Sequence, residues 1–186
     1  LSNSEKERLV RSWVQQMVKN IGPRIDVPAP DVGTNAQMMG WMMDEYSKLI
    51  GQYTPGVITG KPVGGGGSLG RTEATGYGVV IAIREALQYL GLDGKKMRAA
   101  IQGFGNVAQY SALTFKEMIG GEIACVSFWD PADKRAYTVS KESGFDPAFL
   151  KSIADQYGTI DKEKAQAAGY TIEDANAWIS KDVDVL

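Results

Sequence analysis

The chain has 186 residues, 44% of them hydrophobic and 23% charged, which is enough for a real core and argues against disorder. Its net charge of -2 offers no attraction to nucleic acid or to an anionic membrane surface. With no histidine and one cysteine, Ser-His-Asp triads, Cys–His pairs, histidine-ligated zinc and an internal disulfide are all excluded. No metal site is expected, and acid–base work falls to Asp, Glu, Lys or Tyr. Cys125 lies in the apolar run Ile123-Ala124-Cys125-Val126 and reads as a buried structural thiol. One cysteine, no signal peptide and no membrane-length apolar stretch predict a reducing, cytoplasmic setting.

The first predicted element is a helix. Ser4 and Glu7 have capping-box spacing, and Leu9, Val10, Trp13, Val14, Met17, Val18 and Ile21 follow at helical intervals until Gly22-Pro23. Residues 24–30 read as extended, with Pro28 and Pro30 fixing backbone dihedrals. A second helix is predicted from near Thr34 to Gly51, with Met38, Trp41, Met42, Tyr46, Leu49 and Ile50 on its apolar face. A glycine-rich loop covers residues 60–70, and a third helix runs from about Glu73 to Gly91 on Val79, Val80, Ile83, Leu87 and Leu90. The period then changes. A short apolar strand over residues 97–102, a glycine turn, a helix over 107–119 and a strand over 123–128 form a strand–helix–strand unit. From Asp146 onward the chain reads as helical and ends in a strand over residues 182–186. It begins at Leu1 and stops inside that apparent strand, so both ends read as cut.

Gly103-Phe104-Gly105-Asn106-Val107-Ala108 has the form G-x-G-x-x-A, directly after a predicted strand and opening a predicted helix. Gly103 suits the tight turn, Gly105 lets a pyrophosphate touch the backbone, and Ala108 lets the helix pack on the strand. The helix N-terminus adds N–H donors and positive potential. Gly103, Phe104, Gly105, Asn106 and Val107 are therefore candidate cofactor-binding residues; the alternative is a tight turn without ligand. An acidic residue normally ends the next strand and binds ribose. Here Phe128 stands at that place and Asp130 follows two residues later, as ribose ligand or as a turn former before Pro131. Lys134 and Arg135 nearby leave NAD and NADP both open.

Residues 65–72, GGGSLGRT, follow the P-loop pattern except that Arg71 replaces its lysine, and no apolar strand precedes them. A P-loop-like nucleotide-binding module is the alternative function.

Three stretches together resemble glutamate dehydrogenases of the Glu/Leu/Phe/Val dehydrogenase family in order and spacing: residues 28–35 (PAPDVGTN), 66–78 (GGSLGRTEATGYG) and 102–108 (QGFGNVA). The resemblance implies an α/β fold. A Rossmann-like, doubly wound parallel sheet, incomplete here, is preceded by helices of a partial substrate domain. Residues 1–60 would belong to that substrate domain, and 61–186 to a dinucleotide-binding domain truncated at its C-terminus. It implies NAD(P)-dependent, reversible oxidative deamination of L-glutamate to 2-oxoglutarate and ammonia, in a homo-oligomer, typically a hexamer. Asp31 matches the aspartate that moves a proton to and from the substrate nitrogen, and Pro30 a backbone contact to substrate. Thr75 matches a residue bonding the nicotinamide end of the cofactor, and Asn106 one near its phosphates and ribose. On the residues alone, Asp31, Thr75 and Asn106 also read as helix-start positions. The family's catalytic lysine, its carboxylate-binding lysines and a pocket serine fall outside the chain, and Lys61 is not in their context. The chain by itself is therefore expected to turn over no glutamate.

Overall fold

The computed structural model describes residues 1–142 and 144–186, which form two compact units, Leu1–Thr72 and Glu73–Leu186. The first unit is built on two helices, α1 (Asn3–Met17) and α2 (Ala36–Ile50). The capping box of α1 is Ser2 with Glu5, one Ser-x-x-Glu earlier than the predicted Ser4–Glu7 pair: the Ser2 hydroxyl accepts from the Glu5 N–H, and the Glu5 carboxylate accepts from the Ser2 N–H at 2.7 Å. Each residue added to an existing helix gains a hydrogen bond, so the helix extends back to the first residue able to cap it. Asn35 caps α2, its side-chain oxygen accepting from the Met38 N–H at 3.0 Å, and Gly51 closes it at φ 72°.

Val10 and Val14 of α1 pack with Met38, Met39, Met42 and Tyr46 of α2, together with Ile21, Val57 and Ile58. Each such side chain, fully buried, contributes on the order of 1.5–3 kcal/mol. Arg11 ties the two helices, donating to Asp44 at 2.6 Å and Glu45 at 3.2 Å. The outer part of each predicted stripe, with Leu9, Leu49 and Ile50, stays exposed.

The second unit carries α3 (Arg71–Leu90), β1 (Arg98–Ile101), α4 (Asn106–Thr114), β2 (Glu122–Asp130), β3 (Arg135–Ser140), α5 (Pro147–Ser152), α6 (Lys162–Ala167) and β4 (Thr171–Asp174). A single π turn, Phe115–Ile119, prolongs α4 up to Gly120 in the left-handed region. The sheet order is β1-β2-β3-β4. The predicted strand–helix–strand unit is present, with β1 and β2 parallel across α4. The predicted terminal strand is a parallel bridge between Val185 and Ala99, in which the Ala100 N–H donates to Val185 O at 2.9 Å.

The sheet as a whole is mixed rather than wholly parallel, because β3 and β4 run antiparallel. Four residues join β2 to β3, with Lys134 at φ 53°; so short a link permits only an antiparallel return. In the tail expected to be helical, α5 and α6 are six residues each and β4 follows them. The core gathers Val80, Leu87, Phe104, Phe115, Ile123, Val126, Phe128, Val139, Leu150 and Ile160. Residues 123–128 of β2 are all buried, the pattern of a strand covered on both faces.

Candidate dinucleotide-binding site

The turn between β1 and α4 begins at Gly103, whose φ of 87° lies in the left-handed region that side chains disfavour. Its N–H donates to Ser127 Oγ at 2.9 Å, tying the turn to β2. Phe104 is buried, and its carbonyl accepts from the Gln109 side chain at 2.9 Å. Gly105 is the N-cap of α4, at φ −71°, and no side chain caps the helix. A Cβ at Gly105 would have only Tyr157 O near it, at 4.0 Å, so the space in front of the turn is open. Asn106 and Val107 form the exposed first turn of α4. Backbone donors and the positive end of a helix thus face an approachable space, the arrangement that receives a pyrophosphate.

Thr75 enters through helix packing. A Cβ at Gly76 would stand 2.8 Å from Val107 O and 2.8 Å from the Ser111 nitrogen, so α3 meets α4 at near backbone-to-backbone contact. Thr75, exposed, immediately precedes the residue that makes this contact.

Asp130 is differently engaged. One oxygen accepts from the N–H groups of Ala132 at 2.9 Å and Asp133 at 3.3 Å; the other meets Lys162 Nζ at 2.7 Å. The Lys162 ammonium and these turn N–H groups hold the Asp130 carboxyl below the usual carboxylate range. Lys162 also reaches Asp133 and lies over the Tyr137 ring at 4.3 Å. In this structure Asp130 organises the β2–β3 turn, and a ribose would have to share it.

In the first unit, Asp31 is exposed. Its carboxylate accepts from the Val32 N–H at 2.8 Å, and its own N–H donates to Thr34 Oγ1 at 2.8 Å. A Cβ at Gly60 would stand 2.5 Å from the Pro30 ring, and the Thr59 N–H donates to Pro28 O at 3.0 Å, so residues 59–60 brace the Pro-rich approach to Asp31. Lys61 is buried and donates to Ile58 O; burial lowers its pKa. The P-loop-like stretch follows a 3-10 turn, Pro55–Val57, and another, Val63–Gly65. Gly67 packs on the Lys61 carbonyl, where a Cβ would stand 2.0 Å away. The strand that a P-loop needs in front of it is not there.

The model of the family described as Glutamate/Leucine/Phenylalanine/Valine dehydrogenase matches residues 66–186, and that of its dimerisation domain matches residues 1–48. The chain belongs to this dehydrogenase family. It is 47% identical over 160 residues to the NAD-specific glutamate dehydrogenase of Clostridioides difficile, covering 86% of this chain and 38% of that protein. The crystal structure of the Peptoniphilus asaccharolyticus glutamate dehydrogenase is similar at TM-score 0.67 and 42% identity, over 82% of this chain and 38% of the other. The hetero-hexameric glutamate dehydrogenase of Thermus thermophilus is similar at TM-score 0.73 and 36% identity, over 82% and 35%. This family chain spans about two fifths of the length of the curated relatives it matches. Among its described residues no helix is long and apolar enough to cross a membrane.

Two further residues meet the turn, Ser127 and Gly158. Ser127 sits in an apolar strand, where its lone hydroxyl is the one signal of a polar role. Gly158 lies 53 positions beyond Gly105 in a stretch whose sequence predicts helix, and only the folded chain brings the two together.

Proposed function

We propose that the protein catalyses the reversible, NAD-dependent oxidative deamination of L-glutamate to 2-oxoglutarate and ammonia. The observation that carries this reading is the uncapped start of α4 at Gly105, directly after a parallel strand, in a chain of this dehydrogenase family. In this reading the N–H groups at the start of α4, from Gly105 through Asn106 and Val107, hold the pyrophosphate, and Gly103, whose own N–H is bonded to Ser127 Oγ, supplies the tight turn. Phe104, buried beneath, keeps the turn's shape, and Thr75 lies toward the nicotinamide. The bound nicotinamide accepts the hydride. Asp31 takes and returns the substrate's proton, held by its Val32 and Thr34 contacts and by the braced Pro30, whose carbonyl is the substrate contact.

NAD is favoured over NADP because similar proteins are named NAD-specific. Of the two cations that would suit a 2′-phosphate, Arg135 is engaged by Asp174 at 3.0 Å. Assembly with further copies is supported by the dimerisation-domain match over residues 1–48 and by Leu9, Leu49 and Ile50 lying exposed on α1 and α2. The protein expressed from its own gene, given L-glutamate and NAD, is expected to form reduced nicotinamide and 2-oxoglutarate in equal amounts. Activity on leucine or valine but not glutamate, or with NADP alone, would overturn the assignment.

A further inference from the structure

The loop over residues 155–159 lies directly against the dinucleotide turn. Gly158, at φ 88°, comes so near that a Cβ on it would stand 2.1 Å from Phe104 O, 2.4 Å from the Phe104 carbonyl carbon and 2.7 Å from the Gly105 nitrogen. The contact is therefore with the peptide bond joining Phe104 to Gly105, whose N–H opens the row of donors at the start of α4. The loop itself is tightly built. Asp155 accepts on one carboxylate oxygen from the N–H groups of Tyr157 and Thr159, both at 2.8 Å. The Asp155 N–H donates to Thr159 O at 3.0 Å, and the Gly158 N–H to Asp155 O at 3.0 Å. Ile160 anchors the loop in the core, and Thr159 Oγ1 donates to Trp129 O at 3.2 Å, fastening it to the end of β2 as well.

We propose that this loop is a positioning element for the dinucleotide, with Gly158 fixing the orientation of the Phe104–Gly105 peptide. The proposal rests on the dinucleotide reading of the turn. A peptide flanked by Gly103 and Gly105 rotates more freely than one between bulkier residues, and an N–H must be preorganised to hold a phosphate at full strength. Gly158 removes that freedom by laying its backbone on the peptide, which only a residue without a side chain can do. Asp155 acts at one remove, by holding the loop in the shape that delivers Gly158.

The test is NADH affinity, followed by nucleotide fluorescence, together with thermal midpoints, for the wild-type protein and for Gly158→Ala, Asp155→Ala and Gly91→Ala. Gly91 also has a left-handed φ, 67°, but a Cβ there meets nothing within 4 Å, so it carries the backbone strain without the contact. Gly158→Ala is expected to raise the Kd for NADH at least tenfold, and Asp155→Ala several-fold. Gly91→Ala is expected to lower the midpoint while leaving the Kd within twofold of wild type. In turnover, the KM for NAD should rise more than kcat falls in the two loop variants. An unchanged Kd in Gly158→Ala, or an equal rise in Gly91→Ala, overturns the proposal. Should Gly158→Ala fail to fold, Asp155→Ala decides, and an unchanged Kd there overturns it. Absence of NADH binding by the wild-type protein would instead overturn the dinucleotide reading itself.

Discussion

The backbone N–H of Gly103 donates to the side-chain oxygen of Ser127 at 2.9 Å, joining the first glycine of the β1–α4 turn to β2. Ser127 is buried, so its hydroxyl and the Gly103 N–H satisfy each other away from water. Ser127→Ala leaves that N–H without its partner, a loss of about 1 kcal/mol for an ordinary internal hydrogen bond. We expect the Kd for NADH to rise several-fold, measured by fluorescence titration, with a small fall in thermal midpoint.

Asp31 is exposed and hydrogen-bonds to its neighbours Val32 and Thr34, so replacing it disturbs little of the core. Asp31→Asn keeps an acceptor for the Val32 N–H while removing the carboxylate proposed to transfer the proton. Turnover of L-glutamate should fall by ~10²–10⁴, the usual contribution of a positioned acid–base group. Folding and NADH affinity should be unaltered. A variant turning over glutamate at the wild-type rate would leave Asp31 as a loop residue only.

The Lys162 cluster gives an acid dependence with a definite sign. Lys162 holds the carboxyls of Asp130 and Asp133 below their ordinary values. A carboxylate whose folded pKa is depressed contributes stability above its unfolded pKa, and that contribution is lost as pH falls toward the folded value. Urea midpoints should therefore drop as pH falls through and below about 4, the ordinary aspartate value. Lys162→Met should flatten that drop. An equally steep acid loss in Lys162→Met would show that other carboxylates carry it.

Cys125 is fully buried in β2, and burial pushes its thiol up to about 11. It should react with a thiol reagent only as fast as the protein unfolds. Rapid labelling of the native protein, with activity retained, would contradict the burial.

Asn35 caps α2 through the Met38 N–H. Asn35→Ala should lower stability by ~1 kcal/mol, read as a shifted denaturant midpoint with unchanged slope.

Much of this was legible beforehand, for local reasons. The glycine stops at Gly51 and Gly91 and the turn at Gly103 are each dictated by residues a few positions apart, whereas the start of α2, expected near Thr34, is capped one residue later by Asn35. The strand–helix–strand unit follows from a change of apolar period that two neighbouring elements carry by themselves. What escaped depends on distant partners. Residues 171–174 pair with 137–140, and nothing within either short run announces the other. The run from Asp146 predicts helix through Gly158, because what requires glycine there is a peptide bond more than fifty residues away. Asp130 reads locally either as a ribose ligand or as a turn former before Pro131, and its bonds to the Ala132 and Asp133 N–H groups are those of the turn; only its ion pair with Lys162, which comes from α6, has no local signal.

Equilibrium binding of NADH to wild-type protein and to Gly105→Val tests most directly whether the turn at Gly103 holds a dinucleotide. Gly105 has a φ of −71°, which valine adopts freely, and a Cβ there meets no protein atom nearer than 4.0 Å. The substitution therefore places its Cβ in the open space in front of the turn, where a pyrophosphate would lie. We expect saturable NADH binding by the wild type, and at least a tenfold weaker Kd in Gly105→Val with the same helical circular dichroism. No binding by the wild type, or the same Kd in both proteins, would contradict the account.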